Sequence, residues 1–158
     1  MSEFLINKAR TVAVTGHRIL PENFNKDKLR DLFLQVIEKE FDTFLIGMAL
    51  GFDTVCFNVL EEIKEKNKNI KLIACIPCIG QADKFNKEQK EEYKRMLSVA
   101  DEKIILSEKY TPYCMHKRNQ FMVDNASVLI AFVNRNFGGS YKTVTYAQKN
   151  NVPIINFE

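Results

Sequence analysis

The sequence predicts a doubly wound α/β domain, with about six mainly parallel strands and helices on both faces of the sheet. Three observations predict it. Short apolar runs, several of them β-branched, alternate with segments of helical periodicity from Thr11 to Phe157. Those runs are continuous rather than polar at every second residue, as strands covered on both faces require. The 158 residues, 46% hydrophobic, suffice for one sizeable core, and no linker, repeat or low-complexity tract divides them. Residues 1–158 are therefore read as one domain.

Thr11 to Thr15 is a β-branched first strand that delivers Gly16-His17-Arg18 into a loop. Pro21 and Asn25 precede a helix with Leu29, Leu32, Phe33, Val36, Ile37 and Phe41 on one face. The second strand, Phe44 to Ile46, runs into Gly47-Met48-Ala49-Leu50-Gly51-Phe52-Asp53. A helix follows with Val55, Cys56, Val59, Leu60 and Ile63 on its apolar side. The third strand, Lys71 to Ile76, stops at Pro77. Asn86, with Gln89 three residues on, resembles a capping box for a helix bearing Tyr93, Met96 and Leu97. Lys103 to Leu106 is the fourth strand. Thr111-Pro112 starts the next helix, and Val128 to Val133 is the fifth strand. A Gly138-Gly139 turn then opens a last helix, with Ser140 as its cap and Asn150 or Asn151 ending it in the left-handed region. Ile154 to Phe157 closes the sheet.

The 23 basic and 20 acidic side chains leave a charge of only +3, with the lysines spread over most helices. Strong electrostatic binding to nucleic acid is not indicated, so nucleic acid is not the expected partner. Met1 to Arg10 lacks the apolar stretch and cleavage site of a leader, and no run approaches a membrane span. The expected location is the cytoplasm. Cys75 and Cys78 form a CxxC pair, but it closes an apolar strand instead of opening a helix, and nothing completes a metal site. A buried structural pair is the reading; no metal is expected.

Sheets of this kind bind ligands at the carboxyl ends of their strands, near the switch point. The candidate site is therefore made by the loops Gly16 to Arg18, Gly47 to Asp53, Ser107 to Tyr113 and Asn134 to Ser140. On the helix between the fourth and fifth strands, Met115, Arg118, Asn119 and Met122 fall at i, i+3, i+4 and i+7. Arg118 thus lies on the stripe that should face the protein. A cation buried alone costs several kcal/mol or more, so Arg118 must be paired or look into a polar cavity. Gly138-Gly139 before a helix is a natural anion seat. Neither GxGxxG nor a Walker loop occurs; the glycines are divided between Gly47/Gly51 and Gly138/Gly139.

Thr15-Gly16-His17-Arg18, Gly47-x-Ala49-Leu50-Gly51-x-Asp53, Arg118-Asn119-x-x-Met122-Val123-Asp124 and Gly138-Gly139-x-x-x-Thr143-Val144-x-Tyr146-Ala147 resemble the YpsA/YoqJ-type branch of the SLOG superfamily. The resemblance covers nearly the whole chain and implies a Rossmann-like fold with a nucleotide-related ligand. Two relatives sharpen it. The Lonely Guy phosphoribohydrolases carry an Arg-Lys-x-x-Met helix, similar to Lys117-Arg118-Asn119-x-x-Met122, and a Pro-Gly-Gly-x-Gly-Thr-x-x-Glu loop. Here Phe137 replaces that proline, and Thr145 or Tyr146 stands where the catalytic glutamate should be. The DNA processing protein A family shares the Gly-x-Ala-x-Gly-x-Asp loop, which implies single-stranded DNA as another ligand.

These readings give an expected ligand-binding set of Gly16, His17, Arg18, Gly47, Gly51, Asp53, Arg118, Asn119, Gly138, Gly139, Ser140 and Thr143. Arg118 is expected to meet phosphate, or else to pair with Asp124 or another buried acid. Asp53 holds a ribose hydroxyl or N-caps its helix. His116 is expected on the surface; Met115, Phe121 and Met122 in the core. The expected protein binds a nucleotide or an ADP-ribose-like molecule as a sensor and carries no resident cofactor. A phosphoribohydrolase-like enzyme, with Arg118 as the candidate catalytic residue, and a single-stranded DNA module are the alternatives. Self-association into a homo-oligomer is left open.

Overall fold

A computed structural model describes residues 5–158; Met1 to Phe4, the start of the segment read for a leader, lie outside the described residues. The strands are β1 (Thr11–Gly16), β2 (Thr43–Ile46), β3 (Lys71–Ile76), β4 (Glu102–Ile105), β5 (Val128–Phe132) and β6 (Ile154–Asn156). The helices are α1 (Lys26–Glu38), α2 (Phe52–Lys66), α3 (Lys87–Val99), α4 (Cys114–Asp124) and α5 (Gly139–Lys149), with a short 3-10 turn at Lys8–Arg10. The strands form one sheet, ordered β4-β3-β2-β1-β5-β6, and each neighbouring pair is parallel.

Successive side chains of each strand point to opposite faces, and the two faces differ in size. On one, Val12, Val14, Phe44, Ile46, Leu72, Ile76, Ile130 and Phe132 pack under α1, α2 and α3 with the fully buried Phe33, Phe52 and Phe57. On the other, Ala13, Leu45, Ile73, Cys75, Leu129 and Ala131 pack under α4 and α5 through Met122, Val123 and Ala147. Each buried Leu, Ile or Phe stabilises the fold by about 1.5–3 kcal/mol.

Local signals set the helix ends. Asn25 Oδ1 accepts from Lys28 N–H at 3.0 Å, and Asn86 and Gln89 form the expected capping box, with bonds of 2.8 and 2.9 Å. Asn151, at φ 58°, takes the left-handed position after α5. Three expectations are corrected. Phe41 lies beyond the end of α1, where its N–H bonds the Val36 carbonyl. α4 starts at Cys114 rather than Thr111-Pro112. Ser140 does not cap α5; Gly138 is the N-cap at φ 96°, a conformation that an L side chain resists, and Ser140 lies inside the first turn.

Candidate functional site

The strand order reverses between β1 and β5: α1 follows β1 on one face, and α5 follows β5 on the other. The loops after these two strands therefore part, and a cleft of about 670 Å³ opens at their carboxyl ends. Phe132 lines it and belongs to an aromatic cluster with Phe24, Phe52 and Phe157. That cluster fixes the rear wall.

Gly16, His17 and Arg18 enter the cleft from β1. His17 is 7% exposed, and its Nε2 accepts a hydrogen bond from Asn134 N–H at 3.0 Å. A backbone N–H can only donate, so the ring proton sits on Nδ1, which is buried and has no hydrogen-bond partner. Burial, and then the nearby Arg135 cation, lower the His17 pKa from its usual 6.5. Arg18 is exposed; its Nη2 meets the Met115 sulfur at 3.7 Å, so Met115 lines the cleft instead of the core.

Asp53 lies in the first turn of α2, after Gly51 rather than as the N-cap itself. Its Oδ2 accepts from Ala49 N–H at 3.1 Å, and Asp53 lines the cleft. Burial lifts its carboxyl from 3.8 to about 6, against the opposing pulls of Arg118, the Ala49 N–H and Arg18.

Arg118 is 5% exposed. Its Nη1 donates to the carbonyl oxygens of Gly47 and, at 3.3 Å, Cys75, while Nε donates to Asn119 Oδ1 at 2.7 Å. A Cβ at Gly47 would stand 2.9 Å from Arg118 Cζ and 3.0 Å from Asp53 Oδ2, so acid and guanidinium flank the Gly47 Cα. Asp53 is thus the buried acid that partners Arg118. Asp124 is not, since its Oδ1 accepts from Tyr146 O–H at 2.7 Å. Gln81 supports the same loop: its Nε2 donates to the Gly47 carbonyl at 2.8 Å, and its Oε1 accepts from Tyr93 O–H at 2.9 Å.

The opposite wall is the start of α5. Gly139 and Ser140 line the cleft, and Ser140 Oγ donates to the Gly16 carbonyl at 2.7 Å, tying α5 to β1. Arg135 lies over the Phe137 ring, 4.7 Å from its centroid, with Nη2 3.2 Å from the point a Gly138 Cβ would occupy. Arg10, Arg30 and Arg95 hold ion pairs, and Arg118 faces Asp53. Among the described residues, the remaining arginines, Arg18 and Arg135, have no ion pair, and both line this cleft.

The structure thus brings Gly16, His17, Arg18, Asp53, Arg118, Asn119, Gly139 and Ser140 together around one cavity. Gly47, Gly51, Gly138 and Thr143 stand behind it. Gly47 and Gly51 pack on Arg118 and on the Arg18 carbonyl, and the Thr143 hydroxyl donates to the Gly139 carbonyl at 3.0 Å. The loop Ser107 to Tyr113 does not reach the cleft; Ser107 and Thr111 line a separate pocket of about 310 Å³. Arg135 and the Asn134 N–H lie in the expected loop Asn134 to Ser140, but the sequence singled out neither as a contributor. A lone arginine in a polar loop has no periodicity to mark it.

Comparison with known proteins shows the family. A family model, YpsA, described as the YspA SLOG family, matches residues 22–155. The chain belongs to this SLOG family. It is 32% identical over 154 residues to the protein named "Uncharacterized SPbeta prophage-derived protein YoqJ" of Bacillus subtilis (strain 168), covering 84% of this chain and 90% of that one. A "UPF0398 protein" of Bacillus thuringiensis (strain Al Hakam) is 27% identical over 160 residues, covering 94% and 87%. Among solved structures, DNA processing protein A of Streptococcus pneumoniae superposes with a TM-score of 0.65 at 21% identity. The same protein from Helicobacter pylori gives 0.66 at 23%. These cover 93% and 94% of the SLOG chain, which spans only 50% and 65% of theirs; the likeness is one of fold. Among the described residues, no helix is long and apolar enough to cross a membrane.

Proposed function

We propose that the protein binds a nucleotide derivative in this cleft, with the phosphate at the N-terminus of α5 and the sugar toward Asp53. One observation carries the reading: Arg18 and Arg135, neither of which holds an ion pair among the described residues, both line the cavity, beside the positive end of an eleven-residue helix. Cations without an ion pair and a helix dipole that converge on one space favour an anion there. His17 lines the same wall, and its covered Nδ1–H is without a partner. A volume of about 670 Å³ is that of a small-molecule site.

In this reading Arg118 does not grip the phosphate with its whole fork. It organises the Gly47 loop and balances Asp53, while Arg18 and Arg135 meet the ligand. Binding without turnover, as in a sensor, is favoured by the residues that stand in place of a catalytic glutamate. The Thr145 hydroxyl donates to the Tyr141 carbonyl at 3.1 Å, and the Tyr146 hydroxyl serves Asp124. Neither lines the cleft. The test is a thermal-shift screen with AMP, ADP, ADP-ribose and NAD. At least one stabilises the protein, and Arg135→Gln removes that shift; no response to any of them overturns the reading.

A second reading rests on Asp53. A carboxyl raised to about 6 inside a ligand cleft is suited to proton transfer near neutral pH, as hydrolysis of an N-glycosidic bond requires. Release of free base from nucleoside monophosphates by the wild type but not by Asp53→Asn would establish an enzyme. The Helicobacter pylori neighbour is described by its "single-stranded DNA binding mode". For this chain, a net charge of +3 and a compact concave site support a small ligand instead.

A further inference from the structure

We propose that Arg135, held flat by Phe137 behind it, forms a stacking surface in the wall of the cleft, so that the ligand is a purine-tolerant nucleoside monophosphate held by base stacking as well as by phosphate. The inference rests on the binding reading above and specifies what distinguishes the ligand from a simple sugar phosphate.

Phe137 is 63% exposed, although it immediately precedes the glycine turn of α5. Its ring is covered by the Arg135 guanidinium at 4.7 Å. Stacking a cation on an aromatic face gains electrostatic and dispersion energy, and it holds the flexible arginine in one plane. Gly138 is what lets the arginine lie there. Its φ of 96° suits glycine, and a Cβ would come within 3.2 Å of Arg135 Nη2. The stack is therefore part of the turn that presents the α5 amides.

Three features place a ligand against it. Arg135 lines the cleft and has no ion pair among the described residues. It is close enough to the buried His17 to depress that ring's protonation, and His17 keeps an unpartnered Nδ1–H in the same wall. The first turn of α5 offers its amides beside Arg135. An anionic group at α5 thus lies one or two residues from a flat, preformed stack. A group joined to that anion through a ribose lies in reach of the guanidinium plane that Phe137 backs.

A guanidinium stacked on a phenyl ring offers a face, not a pattern of donors and acceptors that would read a base edge. Stacking of this kind tolerates any base and grows with ring area. AMP and GMP should therefore bind alike, CMP and UMP less tightly, and ribose 5-phosphate least.

The experiment is isothermal titration calorimetry of the full chain with AMP, GMP, CMP, ribose 5-phosphate and a twelve-residue oligothymidylate. Wild type, Phe137→Leu and Phe137→Tyr are compared, each shown folded by circular dichroism. Phe137→Leu keeps the apolar bulk and removes the π face. It should weaken AMP and GMP about tenfold or more while leaving ribose 5-phosphate unchanged, and Phe137→Tyr should restore purine affinity. Equal binding of AMP and ribose 5-phosphate by the wild type, or AMP affinity unchanged in Phe137→Leu, overturns the stacking surface but leaves the phosphate site standing. Absence of binding by every phosphate compound overturns both. An oligonucleotide that binds more tightly than AMP at physiological salt replaces the mononucleotide with a nucleic-acid strand.

Discussion

The imidazole of His17 and the backbone N–H of Asn134 are joined by a 3.0 Å hydrogen bond in which the ring accepts. This bond links the loops after β1 and β5, the two walls of the cleft, and it exists only while His17 is neutral. Burial and Arg135 lower the His17 pKa from 6.5, so the folded state resists protonation. The native protein then binds fewer protons than the unfolded chain below about pH 6.5. The His17 contribution to stability is present above that pH and is lost as pH falls through the lowered native value. Nitrogen NMR should report a neutral Nδ1–H tautomer at pH 6.5. His17→Gln, which still offers an acceptor, should be milder than His17→Leu, which leaves Asn134 N–H unmet at a cost of about 1–3 kcal/mol. A ring that titrates with an unshifted pKa would refute the latch.

Asp53 has the opposite sign. Its carboxyl is raised from 3.8 to about 6, so the native state binds more protons than the unfolded chain between those values. Its contribution is present below pH 3.8 and is lost as pH rises toward 6, by about 3 kcal/mol over the window. Denaturant unfolding at several pH values should show this slope, and Asp53→Asn should remove it. An unaltered slope in that variant assigns the proton uptake elsewhere.

The buried and the exposed arginines should separate in experiment. Arg118→Met leaves the Asp53 carboxylate buried without the cation that faces it and takes one donor each from the Gly47 and Cys75 carbonyls, a loss of about 3–5 kcal/mol. In a domain of this size that lowers Tm by roughly 10 °C. Arg18→Gln and Arg135→Gln lose no ion pair and should hold stability within about 0.5 kcal/mol, yet each should weaken a phosphate ligand about tenfold. Differential scanning calorimetry paired with ligand titration checks both halves. A stable Arg118→Met protein would show that its hydrogen bonds are not what holds the Gly47 loop.

The alternation of strands and helices was legible because both periodicities run the length of the chain, and the Asn86/Gln89 box was legible because capping is local. Arg118 on an apolar stripe announced that it needed a partner. The partner itself did not announce its pairing, because Asp53 reaches Arg118 only when α4 packs over β3 and the end of β2 lies alongside. Ser140 was misread for the same reason. Its hydroxyl could serve its own helix, but the neighbouring strand supplies a better-placed acceptor at Gly16. Arg135 fell within an expected loop, but nothing in the sequence marked it apart from its neighbours, since its place in the cleft wall and its stacking on Phe137 are set by the fold.

The CxxC pair supplies the last prediction. Cys75 ends up on the α4 side of the sheet, where burial first pushes its thiol up to about 12, against the pull of Arg118. Burial likewise raises Cys78, whose side chain meets Cys114 rather than Cys75. Burial raises Cys56 well above 9.0, and none of the four cysteines is paired in a disulfide. At pH 7 a pKa near 12 leaves about one thiolate in 10⁵, against a few per cent for a free cysteine, and reaction with disulfide reagents requires the thiolate. Native protein treated with Ellman's reagent should therefore release little chromophore within minutes, and all four thiols should react once guanidinium unfolds the chain. Cys114, which lines the smaller pocket, is the thiol expected to react first in the native state. Rapid native labelling of Cys75 and Cys78, or a disulfide between them under mild oxidation, would return the pair to redox chemistry.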